Sequence, residues 1–180
     1  MTASWKRYSR AKLAFETLKL SSGAAPTLCF SETDFKDVHP HQNGPMVITV
    51  VTMGWNVHKV LVDQGSLTDV MFWNTFEGLQ IPKDQLKPFE GTLVAFNGGW
   101  VKVQCYIDPW TSFTDGEESS TVNLKYIVVN APSSYNLLLG KPSLNQLGTV
   151  VSSHHLKMKL LFPTGKVITL RLDQKAARKC

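Results

Sequence analysis

Val60-Leu61-Val62-Asp63-Gln64-Gly65-Ser66 is an apolar run that delivers one carboxylate into a glycine turn, and a second apolar run, Val70-Met71-Phe72-Trp73, follows at once. A strand that ends on Asp-x-Gly holds its carboxylate at a strand tip, on a turn whose backbone can approach a substrate closely. The tripeptide alone is common, and a lone turn aspartate is by default structural. Its neighbours on both sides decide how it reads.

Upstream, residues 46–53 and 56–62 flank Gly54 and predict a hairpin. Downstream, residues 70–73 read as a third strand and 74–79 as a short helical turn. Residues 92–96 and 100–107 flank Asn97-Gly98-Gly99, a second hairpin whose turn residues tolerate positive φ. Residues 121–129 read as one buried strand, and 136–139 as a short apolar strand ending at Gly140. A helix over 141–147 follows, with Pro142 in its first turn. Strands over 149–153, 156–162 and 167–172 complete the chain, the last two joined by Pro163-Thr164-Gly165. Many short strands with one or two short helices predict an all-β fold, a barrel or a sandwich. An apolar run meets a glycine turn twice, at Val62-Asp63-Gln64-Gly65 and at Leu137-Leu138-Leu139-Gly140.

The 180 residues are 43% hydrophobic and 18% charged, which suits one folded domain with extensions and argues against disorder throughout. No apolar run approaches bilayer-spanning length, and the first twenty residues, with five Lys or Arg, carry no signal-peptide pattern. Three widely spaced cysteines (Cys29, Cys105, Cys180) point to reduced thiols and an intracellular setting. Charge is uneven: +4 over residues 1–20, −5 over 21–153 and +6 over 154–180. Nucleic acid could be touched only through these basic ends, and no aromatic stacking motif accompanies them. Residues 1–39 read as a basic N-terminal arm and linker, 40–172 as the folded domain and 173–180 as a tail.

The order of strand, Asp-x-Gly-Ser, apolar strand, glycine-tipped hairpin and Leu-Leu-Leu-Gly leading into a short helix resembles a retropepsin. Three stretches sharpen the resemblance: Val60 to Ser66 with Asp69-Val70-Met71-Phe72-Trp73, Tyr135 to Asn145, and Leu156-Lys157-Met158-Lys159. They resemble the protease region of plant gypsy-class retrotransposon polyproteins, over about residues 27–180.

The resemblance implies a closed, barrel-like all-β fold and an aspartic endopeptidase that works as a homodimer, each chain supplying one catalytic Asp, here Asp63. The two carboxylates would hold and activate a water, one protonated and one ionised, because two like charges that close cannot both ionise; this dyad is a standard example of coupled titration. Gln64, Gly65 and Ser66 form the active-site loop: Gly65 lets its amide near the carboxylates, and Ser66 hydrogen-bonds an outer carboxylate oxygen. Phe96, Asn97, Gly98, Gly99 and Trp100 are the expected flap, and Leu138, Leu139 and Gly140 the apolar element packed beneath the loop. The implied substrate is polypeptide, its own polyprotein, cut in the cytoplasm or within virus-like particles. No cofactor, metal or membrane is implied.

Gln64 departs from the family, which carries a small hydroxyl residue there to lock the two active loops together. Its longer stem cannot reproduce that geometry and costs more to order. A catalytically impaired retropepsin-fold module for dimerisation or interaction is therefore the alternative reading. His39, His41, His154 and His155 invite a metal, yet no third and fourth ligand fall at a recognised spacing. A Ser-His-Asp triad from Ser66, His154 and Asp69 lacks a nucleophile-elbow sequence.

Overall fold

The computed structural model describes residues 26–36, 38, 43–94, 98–116, 118–162 and 165–180. Strand β1 (Val47–Thr52) and strand β2 (Trp55–Val62) form the first hairpin. Its Met53-Gly54 turn has positive φ at both residues, the backbone a two-residue hairpin loop demands. Strand β3 (Val70–Phe72) runs into helix α1 (Trp73–Gly78). The second hairpin is β4 (Thr92–Val94) with β5 (Trp100–Ile107), and the third is β6 (Trp110–Thr114) with β7 (Ser119–Asn123). Strand β8 (Tyr126–Val129), strand β9 (Leu137–Leu139) and helix α2 (Lys141–Gln146) follow. Strands β10 (Val150–Ser152), β11 (Lys157–Leu161) and β12 (Val167–Arg171) and helix α3 (Gln174–Ala177) complete the described chain.

Nine strands make one sheet in the order β4-β5-β8-β3-β9-β2-β1-β6-β7, and β10-β11-β12 make a second. The fold is all-β, as the strand pattern predicts. The sheet does not close, however. Two hairpins extend it in opposite directions, β4 from β5 and β7 from β6, so among the described residues both ends remain edges. There are three short helices among them, against the one or two expected.

One pairing positions everything that matters for the site. Strand β9 lies between β2 and β3, parallel to β2 and antiparallel to β3. Because β2 and β3 are consecutive, the loop joining them must pass around the C-terminal end of β9. That loop is residues 63–69, and the end it passes is Gly140.

Side chains alternate across this sheet with period two. Met71, Tyr126, Val128, Leu137 and Leu139 join the main core, which also takes Met158, Leu160 and Ile168 from the second sheet. Val70, Ile127 and Val129 join a smaller cluster on the opposite face, against which Phe72 and Leu138 pack.

The region read as one strand over 121–129 is two, broken at Leu124-Lys125, where the Leu124 N–H turns to the Pro109 carbonyl. Part of the segment read as an arm is packed on the second sheet. Its 3-10 turn at Glu32–Phe35 places Asp34 3.0 Å from Lys159 and 3.5 Å from Lys157, and Phe30 stacks on His155. At the other end, Asp173 caps α3 through the Ala176 N–H, while its own N–H meets the Val47 carbonyl.

Candidate active site

Asp63 leaves β2 half-buried, and its backbone N–H donates to the Leu139 carbonyl at 2.9 Å, which fixes the aspartate to the tip of β9. The chain then turns sharply. The Gly65 N–H donates to Asp63 Oδ1 at 2.8 Å, and the Ser66 hydroxyl to Oδ2 at 2.6 Å. Each carboxylate oxygen is thus held by one short, charge-assisted bond from its own loop. Gln64 points outward and is exposed at the apex of the turn.

The second apolar-glycine element grips the loop from below. The Lys141 N–H donates to the Ser66 carbonyl at 2.9 Å. A Cβ on Gly140 would strike the Thr68 carbonyl oxygen and lie 2.8 Å from the Ser66 oxygen, so glycine is required by contact. Its backbone, at φ −95° and ψ −171°, is extended and asks nothing special. Leu139 joins the main core, whereas Leu138 faces the other side of the sheet and packs on the smaller cluster.

Sequence reasoning named Asp69 only within the resembled stretch and a Ser-His-Asp triad, and gave it no place in this site. Asp69 closes the loop, is 3% exposed, and accepts the Gly140 N–H on Oδ1 at 2.7 Å. Burial raises its carboxyl to about 6, against the opposing pull of the Gly140 N–H. The available signal was an acid heading an apolar strand, Asp69-Val70-Met71-Phe72. In sequence that pattern is indistinguishable from a solvated turn acid.

In the expected flap, Leu93 pairs with Val101 and Val94 with Trp100, and Gly98 adopts φ +78°. Trp100 is 76% exposed and Val94 55%, a largely open apolar pair. Phe96 and Asn97 lie outside the described residues.

The paper triad is not assembled. Ser66 is bonded to Asp63 and Asp69 to Gly140, while His154 packs edge-on against Phe35 on the second sheet. His155 is engaged by Ser152 Oγ at 2.7 Å, and His39 and His41 lie outside the described residues. Among the described residues no three His, Cys, Asp or Glu side chains converge as metal ligands, and no helix is long and apolar enough to cross a membrane.

A carboxylate at a strand tip, anchored through both oxygens and backed by a glycine turn, is a device for presenting a general base or acid to a bound molecule. Solved structures share the frame that builds it. The retroviral protease-like domain of Ddi1 from Leishmania major matches with a TM-score of 0.56 at 14% identity, over 73% of this chain and 96% of that one. The fold is retropepsin-like. Two further matches are looser: the EIAV protease complexed with the inhibitor HBY-793 (TM-score 0.48, 19% identity, 64% of this chain and 99% of that one) and a retropepsin-like aspartic protease from Rickettsia conorii (0.47, 15%, 72% and 84%). No protein-family model and no curated protein matches the chain. At 14% identity the Ddi1 match speaks for the fold alone and leaves activity to the residues themselves.

Proposed function

We propose that this chain is an aspartic endopeptidase that is completed by a second copy of itself, with Asp63 as its reactive group. The observation that carries the reading is the Asp63 carboxylate, held through both oxygens by Gly65 and Ser66 at the point where the loop crosses Gly140. One chain offers one such carboxylate. A two-fold partner whose axis passes beside Asp63 would bring a second against it, since residues at the axis of an isologous contact meet their own copies.

In that dimer the two Asp63 side chains share one proton. The ionised member takes a proton from a water held between them, and the protonated member hydrogen-bonds the peptide carbonyl as the tetrahedral intermediate forms. The exposed Val94–Trp100 pair on the β4–β5 hairpin is suited to cover a peptide and exclude water from this step. The natural substrate would be the chain's own retrotransposon polyprotein, on the strength of the sequence resemblance, which also carries the intracellular setting.

One feature favours a second reading. Gln64 is exposed at the turn apex where the resembled family has a short hydroxyl, so a dimer could assemble with its two loops loosely joined and its dyad inactive.

The test is cleavage of a peptide library by the full chain at acidic pH, with and without pepstatin, beside Asp63→Asn. Pepstatin-sensitive cleavage that disappears in Asp63→Asn supports the protease. Self-association without cleavage in either protein supports the module, and a strict monomer at high concentration overturns both.

A further inference from the structure

Six residues beyond Asp63, the proposed chemistry leaves a second carboxylate with no role. Asp69 heads β3, and two elements converge on it. Its Oδ1 takes the Gly140 N–H at the start of α2, and its backbone carbonyl takes the Ile127 N–H of β8 at 3.0 Å. Gly140 is in turn wedged beneath the Ser66 and Thr68 carbonyls, and Lys141 donates to Ser66. A displacement of Asp69 therefore reaches Asp63 through a single turn of chain.

We propose that Asp69 is the positioning residue of this site, its carboxyl holding the Gly140 turn against the Asp63 loop. The inference rests on the reading of Asp63 as the reactive carboxylate. It adds a dependence on pH carried by a second carboxyl, Asp69 itself. No cation pairs with Asp69 among the described residues. Among the described residues the titratable group that faces it is the buried Tyr126 phenol of β8, itself pushed up by burial.

A buried carboxylate without a cation is costly when charged and far less so when protonated. Its folded value, about 6, lies above the ordinary carboxylate value of 3.8. Between those two values the folded chain binds more protons than the unfolded one, so this group makes the loop more stable as pH falls from neutral towards 4. Through this group the folded loop region is thus most stable in the acidic range in which a carboxylate dyad works.

The experiment uses the full chain, Asp69→Asn, Asp69→Ala and Asp63→Asn. Asparagine keeps an oxygen for the Gly140 N–H and cannot ionise; alanine removes the acceptor. Carboxyl-carbon NMR should show Asp69 titrating near 6, with the Gly140 amide moving at the same midpoint. The melting temperature of the wild type should rise on acidification through that range, and Asp69→Asn should lack that component. Asp69→Ala should lower kcat about tenfold or more with KM little changed, and Asp69→Asn should restore most of it at acidic pH.

Titration of Asp69 near 4, or an unaltered pH profile in Asp69→Asn, overturns the proposal even if Asp69→Ala fails to fold. Failure of the protease reading shows separately, as cleavage that survives Asp63→Asn; the NMR and melting data still decide whether Asp69 is the clamp.

Discussion

Replacing Gly140 by alanine tests whether the loop and the β9 tip form one interlocked unit. Because the glycine's backbone is extended, the substitution carries no conformational penalty and acts by contact alone. The new methyl would meet the Thr68 and Ser66 carbonyls, which are backbone and cannot swing aside. Overpacking of this kind costs about 2–3 kcal/mol. Separating the loops also weakens three hydrogen bonds: Lys141 to Ser66, Asp63 to Leu139 and Gly140 to Asp69. At about 1 kcal/mol each, partly lost, they add roughly 2 kcal/mol. The stiffer unfolded chain returns about 0.5–1 kcal/mol. The net loss is roughly 4 kcal/mol, or about 8–16 °C in Tm for a domain of this size. Differential scanning calorimetry measures it, with Gly78→Ala as control. That glycine ends α1, a Cβ there meets nothing within 4 Å, and its replacement should be neutral or mildly stabilising. A Tm for Gly140→Ala within about 3 °C of wild type would refute the interlock.

Ser66→Ala removes the 2.6 Å bond to Asp63 Oδ2 and should cost roughly 10–100-fold in kcat/KM, read by steady-state kinetics on any cleaved peptide, with a small change in Tm. Asp34→Asn should release residues 26–36 from the second sheet, seen as faster amide hydrogen exchange there at neutral pH. Lys159 above all, then the Ser31 N–H, holds the Asp34 carboxyl down at about 2. Its contribution is therefore full above about pH 4 and fades as pH falls towards 2, a dependence the asparagine variant should lack. Gln64→Thr restores a short hydroxyl at the turn apex and should tighten self-association in sedimentation equilibrium if the two active loops meet.

The parts of the fold that were legible in the sequence are those encoded locally. Gly54 and Gly98 mark turns whose φ values only certain residues adopt cheaply, so the β1–β2 and β4–β5 hairpins could be placed from them. Leu137-Leu138-Leu139-Gly140-Lys141-Pro142 announces a buried strand and a helix start in the same way. Strand β6 could not be read because its pattern is inverted. Thr111 is buried, its hydroxyl 3.4 Å from that of Thr52, while Trp110 is 61% exposed. Leu124, fully buried, disguised the break between β7 and β8 as continuous strand. Openness of the sheet follows from which hairpin arms find a further neighbour, and no local pattern encodes that. The same holds for the candidate site. Asp63, Gly65 and Ser66 were visible because their contacts lie within three residues of sequence. Asp69 answers to Gly140, and Asp34 to lysines more than a hundred residues away, so neither could be seen until the chain was folded.

The central claim, that Asp63 is half of a site shared by two chains, is tested most directly by mixing. Wild type and Asp63→Asn are combined and re-equilibrated at constant total chain concentration, and cleavage is followed as the wild-type fraction falls. If both aspartates are needed, activity follows the square of that fraction, about a quarter at an equal mixture, because only one dimer in four carries two intact chains. A linear fall, to about half, would mean that each chain works alone and would contradict the shared site. No cleavage by the wild type at any concentration would contradict the protease itself.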